Sequence, residues 1–398
     1  MIGRRTYSSY EAPQVTNPQP TDTTTPPPGP GSRFAAPRSL PGPSGLGTSA
    51  ARLLHRPAPQ PERPTGPGPG RPAGGPDLVI PRFDFPWPSA CHPHARQAEQ
   101  GALAFAERHG LVPTAAYRSR LERTRYGWLA ARCYPDADDV LLQLCADYFI
   151  WFFIVDDLFV DRVDTLSERT IPNLTAMIDV LDHHRPGAEP VFGEHAWLDV
   201  CTRLRAYLSD EHFQRFAHGM RMWAATAGLQ IANHLGADTV DVAPYETIRR
   251  HTSGTNPCLA LADAAKHGPV TPAEYHSPPV QRLVLHANNV VCWSNDVQSL
   301  KMELNQPGQY WNMAAIYAHR GLSLQQAVDL VALRVRGEIA SFQSLALTLE
   351  PHASRPLRGF VDGLRHWMRG YQDWVENDTL RYADAFIAED ADDTAVRT

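Results

Sequence analysis

Between His94 and Asp378 apolar residues recur at three- and four-residue steps, the spacing that lines one face of an α-helix. No run of alternating apolar and polar positions is long enough to read as a strand. The pattern predicts an all-α body of about ten helices or more. Their spans are Gln97 to His109, Ala115 to Ala131, Tyr134 to Asp161, Arg169 to His183, Trp197 to Leu208 and Asp210 to Leu235. They continue over Tyr245 to Ser253, Cys258 to Lys266, Pro279 to Glu303, Gln309 to His319, Ser323 to Leu349 and Pro356 to Asp378. Gly254-Thr255-Asn256-Pro257 interrupts an otherwise apolar helical pair, and such a break exposes backbone amides and carbonyls. Ahead of the first helix, Phe83, Phe85 and Trp87 mark an extended arm pinned to the body by its aromatic rings.

The long helix from Tyr134 has an unusual end. Apolar residues from Tyr148 to Val155 run straight into Asp156, Asp157 and Asp161. Phe149, Phe152, Phe153 and Asp156 share a helical face, and Asp157 and Asp161 sit one above the other. Clustered carboxylates at a helix C-terminus repel one another and the local dipole, so a cation should join them. Their hard oxygens suit Mg²⁺, while the plain alternative is a solvated acidic helix end. Asp136, Asp138 and Asp139 form a second acidic cluster, better explained as a cap and dipole partners of the helix start. His183-His184 likewise reads as a dipole partner near a helix end.

Composition divides the 398 residues unevenly. Residues 1–76 hold 18 of the 36 prolines, 8 Arg and 3 Asp or Glu, which leaves 29 basic and 40 acidic residues, a balance of −11, for the remainder. Such a Pro/Gly-rich tail cannot bury enough apolar surface to offset its ordering entropy and is expected to be disordered. The expected domains are therefore the tail 1–76, a folded domain 77–385 and an acidic tail 386–398. Lys266 and Lys301 are the two lysines of the chain, so no basic stripe for nucleic acid is present. Six cysteines without CxxC or zinc spacing read as reduced core residues of a cytoplasmic protein. No apolar segment predicts a signal peptide or a membrane span.

A second candidate site closes the helix that begins at Pro279. Asn295, Ser299 and Glu303 stand at i, i+4 and i+8, which puts a carbonyl, a hydroxyl and a carboxylate along one face after the core-like Val290-Val291-Cys292-Trp293. These oxygens suit one divalent cation, the alternative being a chance polar stripe.

With DDLFVD at 156–161 and NDVQSLKME at 295–303, the chain resembles the class I terpene synthases, microbial sesquiterpene cyclases especially. Arg249 stands 46 residues before Asn295 and matches that family's diphosphate-sensing arginine, with Thr252 and Ser253 in its linker and effector places. Arg381-Tyr382 matches its C-terminal arginine and tyrosine pair. The resemblance covers about residues 80–385 and implies a helical bundle around a central apolar cavity. It also implies three Mg²⁺ ions, with Asp156 binding two and Asn295, Ser299 and Glu303 the third, and with Asp157 and Asp161 in the same acidic motif. Arg249, Arg381 and Tyr382 would grip the diphosphate, and Phe149, Phe152 and Phe153 would face the carbocation, which aromatic rings stabilise without attacking it. Where the family commonly has Lys or Arg before the glutamate this chain has Met302, with Lys301 about 100° around the helix as the substitute diphosphate ligand.

The implied activity is Mg²⁺-dependent ionisation and cyclisation of a linear prenyl diphosphate, with farnesyl diphosphate the first candidate and 2-methylgeranyl diphosphate the alternative. A prenyl-chain elongating enzyme would be expected to carry a second aspartate-rich motif and more basic residues. An inactive interaction protein acting through its Pro-rich tail is the reading of a different class. Residues 42–54 are the stretch of the tail with apolar anchors and resemble segments of 2-methylisoborneol-type synthases loaded into encapsulin-type shells. That resemblance implies a docking peptide, against the alternative of a plain linker, and a homodimer is a further expectation.

Overall fold

A computed structural model describes residues 78–160, 169–235, 241–266, 268–304, 311–383 and 386. Asp161, the docking segment 42–54 and most of the acidic tail lie outside them. The chain divides into Met1–Ala73 and Gly74–Thr398, and the second unit holds every described residue. That unit is all-α, with no strand among the described residues.

Its helices, in chain order, are α1 (Ala95–Arg108), α2 (Ala115–Thr124), α3 (Tyr126–Cys133), α4 (Asp139–Phe159), α5 (Thr170–His183), α6 (Glu194–Tyr207) and α7 (Asp210–Leu235). There follow α8 (Val242–Thr252), α9 (Thr255–Leu259), α10 (Pro272–Tyr275), α11 (Pro278–Leu304), α12 (Met313–His319), α13 (Leu324–Leu349) and α14 (Arg355–Asn377). A helix that is apolar all round belongs in the middle of a bundle, and α4 lies there, buried from Leu141 to Val155 except at Gln143 and Phe153. Around it Trp151 stacks on Trp197 at 4.3 Å, and Tyr148 meets Phe216 edge-on at 5.2 Å. Among the described residues no helix is long and apolar enough to cross a membrane.

The acidic start of α4 divides its labour. Asp138 caps the helix by accepting from the Leu141 amide, Asp139 follows in the first turn, and Asp136 stands before the helix and pairs with Lys266 at 3.0 Å. The helix thus begins five residues later than Tyr134. The pinned arm is present: Phe83 is buried, and the Trp87 indole donates to the Arg365 carbonyl at 2.9 Å while packing on Phe342. All six cysteines are free thiols, five of them buried.

Three predicted helices differ from the pattern for tertiary reasons. Ala115 to Ala131 breaks at Arg125, whose φ of 59° is left-handed, because the Trp374 indole draws the carbonyls of Thr124 and Arg125 towards itself. The turn lets Gly127 press on α1, where a Cβ would lie 2.3 Å from the Glu99 nitrogen. Cys258 to Lys266 is helical only as far as Leu259, and the turns beyond it wrap on the buried Asp263, which accepts from Arg215 and the Val270 amide. α12 starts at Met313 because the Asn312 side chain caps its amides.

Candidate active site

A single cavity brings the two candidate motifs together. Its walls include Phe149, Phe152, Phe153 and Asp156 from α4, Arg249 and Ser253 from α8 and its end, and Asn295, Ser299, Met302 and Glu303 from α11. Trp367 and Tyr371 from α14 and the following Arg381 and Tyr382 complete it. The helical face read from the sequence is therefore a real face: Phe149 and Asp156 are two turns apart, and the apolar wall leads to the carboxylate.

At the α4 side, Asp156 Oδ1 accepts from the Trp223 indole at 2.8 Å. Asp157 is off the cavity lining and takes a bidentate contact from Arg381, at 2.5 and 2.9 Å. Such a paired contact fixes a guanidinium in direction as well as place. Arg381 also donates to the Tyr126 hydroxyl at 3.1 Å and stands 5.3 Å over the Phe153 ring, on which Tyr126 is stacked. Burial raises the Tyr126 phenol, which therefore stays protonated.

At the α11 side the ligands are held by a buried network. Arg249 donates through Nε to Asp296 at 3.0 Å and through Nη2 to Asn295 Oδ1 at 2.5 Å. Asn295 Nδ2 donates to the hydroxyls of Tyr371 and Tyr382, both at 3.0 Å, which fixes which end of the amide is oxygen. The Ser299 hydroxyl lies 2.8 Å from the Asn295 carbonyl and 2.5 Å from Glu303 Oε1, and Asn312 donates to Glu303 Oε2 at 3.0 Å. Asp296 is fully buried and accepts from the Tyr245 hydroxyl, Arg249 and the Met313 amide. Burial raises its carboxyl above the ordinary value, against the pull of Arg249 and those two donors.

Besides Asp157, two expected residues stand off the lining. Lys301 is not on the lining, whereas Met302 is: relative to Ser299, Lys301 is about 200° round the helix and Met302 about 60° short of a full turn. Thr252 is buried behind the wall, and its hydroxyl has no hydrogen-bond partner. Asp296, Asn312, Trp223, Tyr126 and Tyr371 were not foreseen. The stripe Trp367, Tyr371 and Trp374 was a visible signal, but aromatic spacing of that kind reads equally as core.

The model of the terpene synthase family 2 C-terminal metal-binding region matches residues 147–341, which include both motifs. A sesquiterpene synthase of Metarhizium brunneum is 58% identical over 321 residues, which cover 81% of this chain and 94% of that protein. A (+)-T-muurolol synthase of Roseiflexus castenholzii, described as cyclising (2E,6E)-farnesyl diphosphate, is 29% identical over 76% of this chain and 93% of its own. Among solved structures, linalool/nerolidol synthase of Streptomyces clavuligerus superposes with a TM-score of 0.66 at 26% identity, covering 74% of this chain and all of that one.

Proposed function

The chain belongs to the class I terpene synthases, and from that premise we propose that it ionises farnesyl diphosphate to an allylic carbocation and inorganic diphosphate and closes the carbon skeleton to a sesquiterpene. One observation carries the reading: Asp156 and the Asn295, Ser299 and Glu303 triad offer oxygen ligands to the same cavity, with two arginines beside them and aromatic rings beyond. The curated relatives named as sesquiterpene synthase and as farnesyl-diphosphate-cyclising support the C15 substrate.

The residues present fit a hard divalent cation. Every candidate ligand is an oxygen donor, none is a thiolate or an imidazole, and Asn295 Oδ1 keeps a second lone pair beside its bond to Arg249. We propose three Mg²⁺ ions, Asp156 serving two and the triad the third. Bound there, Mg²⁺ supplies Lewis-acid charge for the leaving diphosphate. Arg249 and Arg381 add donors fixed in direction by Asp296 and Asp157, so little reorganisation is needed as charge develops. Tyr382 and Ser253 line the same cavity. Phe149, Phe152 and Phe153 exclude water and face the cation, each contributing roughly 0.5–2 kcal/mol.

The purified protein should release diphosphate from farnesyl diphosphate in a Mg²⁺-dependent manner and yield cyclic C15 volatiles by mass spectrometry, with geranyl, 2-methylgeranyl and geranylgeranyl diphosphates as comparators. Absence of Mg²⁺-dependent release from all four would sink the proposal. Asp156→Ala and Asn295→Ala should each lower kcat/KM by roughly 10²–10³-fold. Shell loading is a separate proposal: deleting residues 42–54 should leave turnover intact and abolish co-purification with an encapsulin-type protein, and co-purification that survives the deletion would end it.

A further inference from the structure

The break between α8 and α9 is held open by two buried carboxamides. In a continuous helix the Gly254 amide would donate to the Arg250 carbonyl. Here Gly254 is left-handed, with φ of 67°, and its amide donates to the His251 carbonyl instead. The orphaned Arg250 carbonyl receives Asn288 Nδ2 at 3.0 Å and Asn256 Nδ2 at 3.2 Å.

Both amides are used to the full. Asn288 Nδ2 also donates to Asn256 Oδ1 at 2.7 Å, and its own Oδ1 accepts from the Cys292 thiol at 3.0 Å. Asn256 Nδ2 reaches His251 Nδ1 at 3.1 Å, and burial lowers the His251 pKa, which leaves that ring neutral and able to accept. Asn288 is fully buried, so these contacts are its entire hydrogen-bonding environment rather than a surface convenience.

The position of this clamp gives it a consequence for chemistry. Asn288 stands seven residues, about two turns, before Asn295 on the same helix, so one rigid element carries both the clamp and a metal-ligand candidate. The segment it grips, Ser253, Gly254 and Thr255, lines the cavity. A Cβ on Gly254 would lie 2.1 Å from the Phe152 ring, so the break is packed directly against the aromatic wall.

We infer that Asn288 and Asn256 are positioning residues: without touching substrate, they set the register of the helix break against α11 and so decide how the cation is folded before it is quenched. This rests on the cyclase reading. Asn288→Asp keeps the shape but turns both donors into acceptors facing a carbonyl. It should raise the share of acyclic and water-trapped products several-fold and speed hydrogen–deuterium exchange across residues 250–256. The Mg²⁺ concentration for half-activation should stay at its wild-type value, which a general loss of structure would not allow.

Asn256→Ser, at a half-buried position, is the milder arm and decides the matter if Asn288→Asp fails to fold. Wild-type product ratios together with wild-type exchange in the folded variants would overturn the inference. If the wild-type protein turns over no prenyl diphosphate, the cyclase reading fails by itself, and exchange across 250–256 still tests the clamp.

Discussion

The two ligand-bearing helices solve the same problem in opposite ways. On α4 the carboxylates stand in the last turn of a buried helix, where the dipole is against them, and their partners come from far along the chain, Trp223 on Asp156 and Arg381 on Asp157. On α11 the ligands flank a fully buried carboxylate, Asp296, that ties Arg249, Tyr245 and α12 to the same turn. One arm is assembled by partners reaching in from elsewhere, the other by a charge placed underneath it. The contrast teaches that similar ligand chemistry can be organised either by partners from distant segments or by a buried charge on the ligand-bearing helix itself, and the two should fail differently.

The strongest way to break the comparison is at Asp296. Removing it in Asp296→Ala takes away the buried counter-charge of the Arg249 guanidinium, which should cost about 3–5 kcal/mol of folding stability by denaturant titration. Asp157→Ala, whose carboxylate is 37% exposed, should cost less. Equal losses would show that α11 is no more deeply founded than α4.

A somewhat smaller effect is expected where the α4 side meets the core. Glu99 accepts from the Gly127 amide in the first turn of α3, the helix that opens with the Arg381 partner Tyr126. Burial raises the Glu99 carboxyl to about 7 from an ordinary 4.5, with Gly127 and Arg125 pulling the other way. The folded protein then holds this proton more tightly than the unfolded chain. Its contribution is fully present below about 4.5 and is lost as pH rises through about 7. Glu99→Gln removes that loss, so the variant should gain up to about 3 kcal/mol on the wild type between pH 5 and 8. Parallel stability curves over that range would refute it.

What the chain's pattern made legible is the set of features encoded locally. An apolar run ending in carboxylates, and oxygens at i, i+4 and i+8, share a face by helical geometry alone, and Asp156, Asn295, Ser299 and Glu303 line one cavity. The break at Gly254 was visible from its glycine and proline. Partners separated by long stretches of chain were not visible: Trp223 reaches Asp156 across 67 positions, and Tyr371 reaches Asn295 across 76. Arg125 adopts its left-handed turn because of Trp374, almost 250 positions away, and no local propensity announces that. Asp296 escaped notice because it sits beside a ligand candidate, and helical rotation sends it into the core instead of the cavity.

The finest test of the contrast is Trp223→Phe. The indole is fully buried and packs on Phe152 at 5.2 Å, so phenylalanine keeps most of the apolar contact and removes the donor to Asp156 Oδ1. A carboxylate that loses this donor still carries its charge but is held less firmly towards the cation. Outer-shell hydrogen bonds of this kind are typically worth about 10–100-fold in metal affinity. The Mg²⁺ concentration for half-activation should therefore rise within that range, with kcat largely recovered at saturating Mg²⁺, and calorimetric titration of Mg²⁺ with inorganic diphosphate should show the same weakening. On α11 the matching change, Tyr371→Phe, leaves Asn295 with Tyr382 and Arg249 as partners and should weaken Mg²⁺ less. If Tyr371→Phe proves as damaging as Trp223→Phe, the α11 ligands depend on distant partners as much as those of α4 do, and the distinction between the two arms falls.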